Sequence, residues 1–176
     1  VWQGYNDLAT VRPDLVKEWH PTKNGDLKPV DVTSCSNKKI WWIDKFGHEW
    51  EATISNRTNN RGCPYCSNKK LLQGYNDLAT VRPDLAKEWH PTKNGDLQPT
   101  DVISGSHKKV WWLVRHDVPN DYPVKHLRGE HFDFEWEASI DSRSKNAGAG
   151  CPFLSNQMVW QGYNDLATVR PDLVKE

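Results

Sequence analysis

A short apolar run, Lys39-Ile40-Trp41-Trp42-Ile43, and a stretch that alternates polar with apolar, Glu49-Trp50-Glu51-Ala52-Thr53-Ile54, are joined tightly around Phe46-Gly47. β-Branched and aromatic residues in both, with a period of two in the second, predict a β-hairpin. In its second strand Trp50, Ala52 and Ile54 share one face, and Glu49, Glu51 and Thr53 take the other. Upstream the pattern is helical but brief. Asn6-Asp7 offers an N-cap to a single turn, Leu8-Ala9-Thr10-Val11. Pro13 suits the first position of a second helix, Asp14 to Trp19, which His20-Pro21 stops. Lys23-Asn24-Gly25-Asp26 reads as a turn, and Asn56 to Gly62 as a polar loop leading into Cys63-Pro64-Tyr65-Cys66. Trp19, Trp42 and Trp50 are expected at the centre of this module. Trp41, beside Trp42 in a strand, faces the other way and is the expected exposed one, as is Trp111 beside Trp112.

The pattern then repeats. QGYNDLATVRPDL begins at Gln3, Gln73 and Gln161, a spacing of 70 and then 88 residues. Trp41-Trp42 recur as Trp111-Trp112, Glu49 to Ala52 as Glu135 to Ala138, and Gly62-Cys63-Pro64 as Gly150-Cys151-Pro152. Sixteen residues are therefore inserted after the second tryptophan pair, and two more before Cys151. The insert, roughly Arg115 to His131, is rich in His, Asp and Pro and reads as a loop. The organisation expected is a first repeat over 1–72, a second over 73–157 and the start of a third over 158–176. Beginning at Val1 and stopping mid-motif, the chain reads as an excerpt or a processed product.

Composition narrows the functional classes. With 23 basic and 23 acidic residues among 176, the chain carries no formal net charge. No basic excess announces nucleic acid and no acidic tail is present. No apolar run approaches the roughly 20 residues a bilayer crossing needs, so a soluble chain is expected. Ten tryptophans offset a hydrophobic fraction of only 36%. A module of about 70 residues still wants a staple.

The staple candidate is Cys63-x-x-Cys66 with His48 from the hairpin connection; Asp44, four residues before His48, completes a quartet. Two thiolates and an imidazole suit tetrahedral zinc, and a carboxylate can ligate it, though it is less typical of a structural site. Unmetallated packing thiols are the alternative. A redox role for Cys-Pro-Tyr-Cys fits poorly, since a polar run precedes it and its counterpart has lost a cysteine. Cys35, matched by Gly105, reads as incidental.

Paired tryptophans, a His-x-Trp, an Asn-Arg-Thr loop and Cys-Pro-x-Cys, together with the lead-in DLATVRPDLVKEWHPTKNGDL, resemble a treble-clef, zinc-ribbon-like family of tandem repeat domains. The resemblance covers nearly the whole chain. It implies an α+β fold of small tandem modules, each a helical lead-in, a two-stranded hairpin and a cysteine knuckle. It also implies Zn2+ held by His48, Cys63 and Cys66, with Asp44 standing where the family has a cysteine. In the second repeat Val114, Phe134 and Leu154 replace three of the four ligands, and only Cys151 remains. That repeat is expected to be metal-free, its site filled by a Val–Phe–Leu cluster; rescue by His116, His126 or His131 from the insert is the alternative.

No nucleophile–base motif, phosphate-cradling loop or dedicated carboxylate pair points to an enzyme. Two non-catalytic readings follow. One is a scaffold whose repeats dock onto protein subunits of a larger assembly. The other is a nucleic-acid-binding module, since Asn37 to Leu72 holds seven basic residues against three acidic ones. Its contacts would be Lys38, Lys39, Trp41, Arg57, Arg61, Lys69, Lys70 and Trp111. Zinc-type cysteines suggest a reducing compartment or an organelle interior rather than secretion.

Overall fold

The computed structural model describes residues 1–145 and 150–174. It divides into two compact units, Val1–Lys70 and Leu71–Glu176. Each is a mixture of short helical turns and one antiparallel hairpin, the expected α+β architecture.

In the first unit Asp7 caps α1 (Leu8–Val11): its carboxylate accepts from the Thr10 N–H at 2.9 Å and hydroxyl at 2.8 Å, and from the Gly4 N–H at 2.6 Å. Helix α2 (Pro13–Val16) opens on proline and is shorter than the pattern predicts, ending at Lys17. The chain then runs extended alongside β1 (Lys39–Ile43). His20 donates its N–H to the Trp41 carbonyl, and Ile43 donates to the Glu18 carbonyl at 2.8 Å. Asn24 continues this edge with its side chain. Its Oδ1 accepts from the Trp41 N–H at 2.8 Å, and its Nδ2 donates to the Trp41 carbonyl at 2.9 Å. The lead-in thus acts as a third strand built from two backbone bonds and one amide.

β1 pairs with β2 (Glu49–Thr53) in antiparallel register, with Trp42 opposite Trp50. The residues after β2 are not the loop expected. Thr53 caps α3 (Ile54–Thr58), accepting from the Asn56 N–H, and Ile54 opens that helix instead of closing the strand. Leu8, Leu15, Val32, Ile40, Trp42, Trp50, Ile54 and Cys63 make the core. Trp19 lies at its margin, half-buried, edge-on to Trp42 at 5.7 Å. Trp41 is covered rather than bare: the Lys23 ammonium sits 4.5 Å from its ring centroid.

The second unit repeats this plan through α4 (Leu78–Val81), α5 (Pro83–Ala86), β3 (Lys109–Asp117), β4 (His131–Ser139) and α6 (Ile140–Lys145). Asn94 pairs with Trp111 as Asn24 does with Trp41, and Lys93 covers the Trp111 ring at 4.4 Å. The insertion is only partly the loop expected. Both strands lengthen to nine residues and stay paired as far as Asp117 with His131, so the loop proper spans 118–130. The two-residue difference before Cys151 falls at residues 146–149, which lie outside the described residues. The third lead-in, with α7 (Leu166–Val169), packs within this unit through Trp160 and Tyr163.

Candidate metal centre

The connection between β1 and β2 is organised by Asp44. Its Oδ1 accepts from the Phe46 N–H at 2.9 Å and the His48 N–H at 3.0 Å, while Gly47 turns the chain at φ +84°. That leaves Oδ2 facing inward, 2.9 Å from His48 Nδ1 and 3.2 Å from Cys66 Sγ. The two sulfurs arrive from the knuckle, where Cys63 Sγ lies 3.7 Å and Cys66 Sγ 3.4 Å from the same nitrogen. The knuckle is a tight turn: Lys69 donates to the Pro64 carbonyl at 2.8 Å, and Asn68 adopts φ +53°.

All four ligand atoms lie within 4.8 Å of one another. A tetrahedron drawn with zinc bonds of about 2.0–2.3 Å has edges of roughly 3.3–3.8 Å. The four separations given above, 2.9–3.7 Å, stand on or slightly inside those edges, and the donor set suits Zn2+ in softness. Two sulfurs, one imidazole and one carboxylate make four protein ligands, the number structural zinc sites use.

Burial works against charge on Asp44, yet hydrogen bonds from the His48 N–H, the two thiols and the Phe46 N–H hold its carboxyl well below the usual carboxylate range. Burial pushes the Cys63 thiol the other way, up to about 11, with the neighbouring Asp44 carboxylate adding to the effect. A bound metal ion would reverse that preference: it would be held by the thiolate, and loading the site would release the Cys63 proton.

Residues 15–69 and 85–120 match the family described as the Probable Treble clef zinc finger domain, together more than half of the chain. The chain belongs to this family. A search of curated proteins finds no match. The first matched segment contains all four candidate ligands of the treble-clef site, and the second begins at Leu85, the counterpart of Leu15.

The equivalent place in the second unit is built from rings. Phe134, at the His48 position, is fully buried beneath Phe153, Trp160 and Tyr163, with centroid distances of 5.4, 5.3 and 5.0 Å. The expected Val–Phe–Leu filling is therefore corrected. Val114 packs at the margin, Leu154 is exposed, and the neighbours of Phe134 are aromatic. Two of those neighbours come from the third lead-in, beyond the repeat being filled. Of the insert histidines, His116 stacks on Phe134, His131 bridges Asp117 and Asp133, and His126 is exposed. The knuckle backbone nevertheless persists, with Gln157 donating to Pro152 at 2.8 Å and Asn156 at φ +57°.

Among the expected contact residues, Lys38, Lys39, Arg61, Lys69 and Lys70 are exposed, and Trp41 and Trp111 half-buried. Arg57 is not on that rim. It is buried, ion-paired with Glu18, and lies over Trp42 at 5.3 Å and Trp50 at 5.4 Å. Arg143 does the same with Glu88, Trp112 and Trp136. This guanidinium layer escaped the sequence reading, although an arginine recurring 86 residues on, in step with the second-strand tryptophan, is its signature.

Proposed function

We propose that the chain is a non-catalytic interaction scaffold, a tandem array that docks onto or bridges protein subunits of a larger assembly. A groove repeated in both units carries this reading. In the first it encloses about 510 Å³, and its lining includes Asp14, Lys17, Glu18, Ile43, Asp44 and Lys45. In the second it encloses about 630 Å³, with Asp84, Lys87, Glu88, Leu113, Val114 and Arg115 in the same places, each 70 residues on. These six positions recur where three of four metal ligands are gone, whereas the remainder of the first groove, including Cys63 and Cys66, belongs to the metal site and is not repeated; a recurring wall is what a docking surface requires and a metal-centred activity does not. Acidic and basic side chains share each mouth, so a polyphosphate would meet carboxylates there, whereas a protein segment of mixed charge would not be repelled. Two copies on one chain allow avidity for a partner that also repeats. Four protein ligands leave zinc no open coordination position, consistent with a structural metal.

The exposed Lys38, Lys39, Arg61, Lys69 and Lys70 favour the second reading, contact with nucleic acid. One experiment separates the two. Natively purified full chain is tested for a protein retained at fixed stoichiometry through a 0.5 M salt wash, in parallel with titration of labelled DNA and RNA. The scaffold reading expects such a protein, lost from K17E/K87E and kept by a variant neutralising the five rim residues. Nucleic acid bound in place of protein, released by salt and by the rim variant alone, would replace it.

A further inference from the structure

The insertion lengthens the second hairpin, and with it one edge of the sheet. In the first unit β1 stops at Ile43, whose N–H is taken by the Glu18 carbonyl, and Asp44 turns the chain. In the second unit Leu113 donates likewise to Glu88 at 2.7 Å, but β3 runs on to Asp117. Backbone groups along a strand point alternately to either side. Trp111 and Leu113 bond outward, to Asn94, His90 and Glu88. Val118 bonds inward, donating to the Glu130 carbonyl at 2.9 Å and accepting from the Gly129 N–H at 3.0 Å. By that alternation Arg115 and Asp117 also point outward, and no described residue on that side bonds the backbone of either. The open stretch is bounded at both ends: the Leu113 N–H is already given to Glu88, and Pro119 has none. The side chains along it are exposed, Arg115 by 70% and Asp117 by 89%. Arg115 reaches Asp133 only at 3.7 Å, and His131 takes a single Asp117 oxygen, Oδ1, at 2.6 Å.

We infer that this edge is a self-association face: two copies of the chain pair their β3 strands antiparallel about a two-fold axis at His116, joining the two hairpins through one continuous sheet. The occupant follows from register and charge. Pairing about His116 sets Arg115 of each copy opposite Asp117 of the other. Both residues point outward, so each such pair exchanges both of its backbone hydrogen bonds. An axis at Arg115 or at Asp117 would instead set like charges face to face, which destabilises a ladder. Charged side chains ordinarily guard an edge against foreign strands; here the guarding pair is complementary to its own copy. Pro119 of one copy meets Leu113 of the other, where no free donor waits. The pairing uses up the open stretch, so it closes as a dimer and does not propagate. Arg115 also lines the second groove, so docking and self-pairing share that side chain. The inference does not depend on the scaffold reading: self-pairing is read on the purified chain alone, and a chain that retains a foreign protein yet stays monomeric fails only this inference.

Sedimentation velocity and amide hydrogen exchange on the full chain test it together. The contact is short and belongs to the weak, transient class, so the measurements run up to about 1 mM. As concentration rises, the Arg115 and Asp117 amides are expected to slow severalfold, while the Trp111 amide, already bonded to Asn94, stays unchanged. R115D sets aspartate against aspartate and D117R sets arginine against arginine, so each variant alone is expected to lose the dimer. An equimolar mixture of the two restores both unlike pairs and is expected to regain it. A native chain that stays monomeric throughout, with both amides unprotected, overturns the inference. So does association that either variant keeps alone, and so does a mixture that stays monomeric while both variants retain the native near-ultraviolet tryptophan signal. If either variant fails to fold, exchange in the native chain decides: protection at Arg115 and Asp117 that rises with concentration supports the inference, and constant protection overturns it.

Discussion

The two units share a backbone plan and differ in what fills one small volume. In the first, a carboxylate, an imidazole and two thiols converge within 4.8 Å; in the second, four aromatic rings pack around the same turn. The knuckle keeps its hydrogen bonds and its left-handed asparagine in both. The turn is thus encoded by local chain chemistry, and the metal and the rings are two ways of tying it to the hairpin. They differ in kind. Zinc stabilises through a few strong bonds that pH and chelators can remove, whereas the rings rely on burial and shape, which neither touches. Metal ligation needs four particular side chains at once, while packing tolerates Leu154 turning to solvent so long as Phe134 is covered.

The largest test of this contrast is chelation. Stripping zinc from loaded protein is expected to collapse hydrogen-exchange protection of the hairpin connection and knuckle in residues 43–70, with the second unit unchanged, because structural zinc in small modules supplies on the order of 10 kcal/mol of folding free energy. C63S should reproduce it, and loss of protection in both units would break the comparison. Zinc affinity should also rise with pH, since the Cys63 thiol must surrender its proton; titration with a competing zinc indicator reads this out. Next, F134A removes a buried ring and is expected to cost about 3–5 kcal/mol, unfolding the second unit first in thermal or denaturant melts. Arg57→Met and Arg143→Met should each destabilise their own unit by a similar amount, up to ~3 kcal/mol. Unequal losses would show that the guanidinium layer is not the common feature it looks. The smallest effect is the caps. Burial raises the Asp7 and Asp77 carboxyls, but hydrogen bonds from the Thr10 and Thr80 hydroxyls and nearby N–H groups outweigh it, and both stand below the ordinary value. A depressed carboxyl contributes stability above its unfolded pKa of about 4 and loses it as pH falls further. D7N and D77N should therefore flatten the acid limb of each unit's stability curve equally.

Much of this was legible in the chain. The aromatic, β-branched run at Lys39–Ile43 and the alternation at Glu49–Thr53 mark the hairpin because one face must be apolar, and Asp7 marks a cap because the first turn of a helix leaves N–H groups to be satisfied. The four ligands could be named because few side chains bind zinc and their spacing is short. What escaped depends on partners distant in sequence. Asn56 to Gly62 reads as polar loop, but Thr53 caps a turn there and Arg57 is drawn inward by Trp42, Trp50 and Glu18. The insert reads as loop from its His, Asp and Pro content, yet pairing continues to Asp117 and His131 because a strand already in register extends readily. Trp160 and Tyr163 belong by sequence to the next repeat, so no reading confined to one repeat places them on Phe134.

Asn24 and Asn94 have a consequence for how such a chain survives synthesis. A two-stranded sheet has two open edges, and the similar first strands, Lys39–Ile43 and Lys109–Leu113, 70 residues apart, offer each other matching ones. In each unit a single carboxamide bonds both the N–H and the carbonyl of the first tryptophan of the pair on that edge. No neighbouring strand can then zip along it without first displacing that amide. The asparagine that completes the fold is therefore also a stopper, shielding the emerging hairpin from its own duplicate and from aggregation.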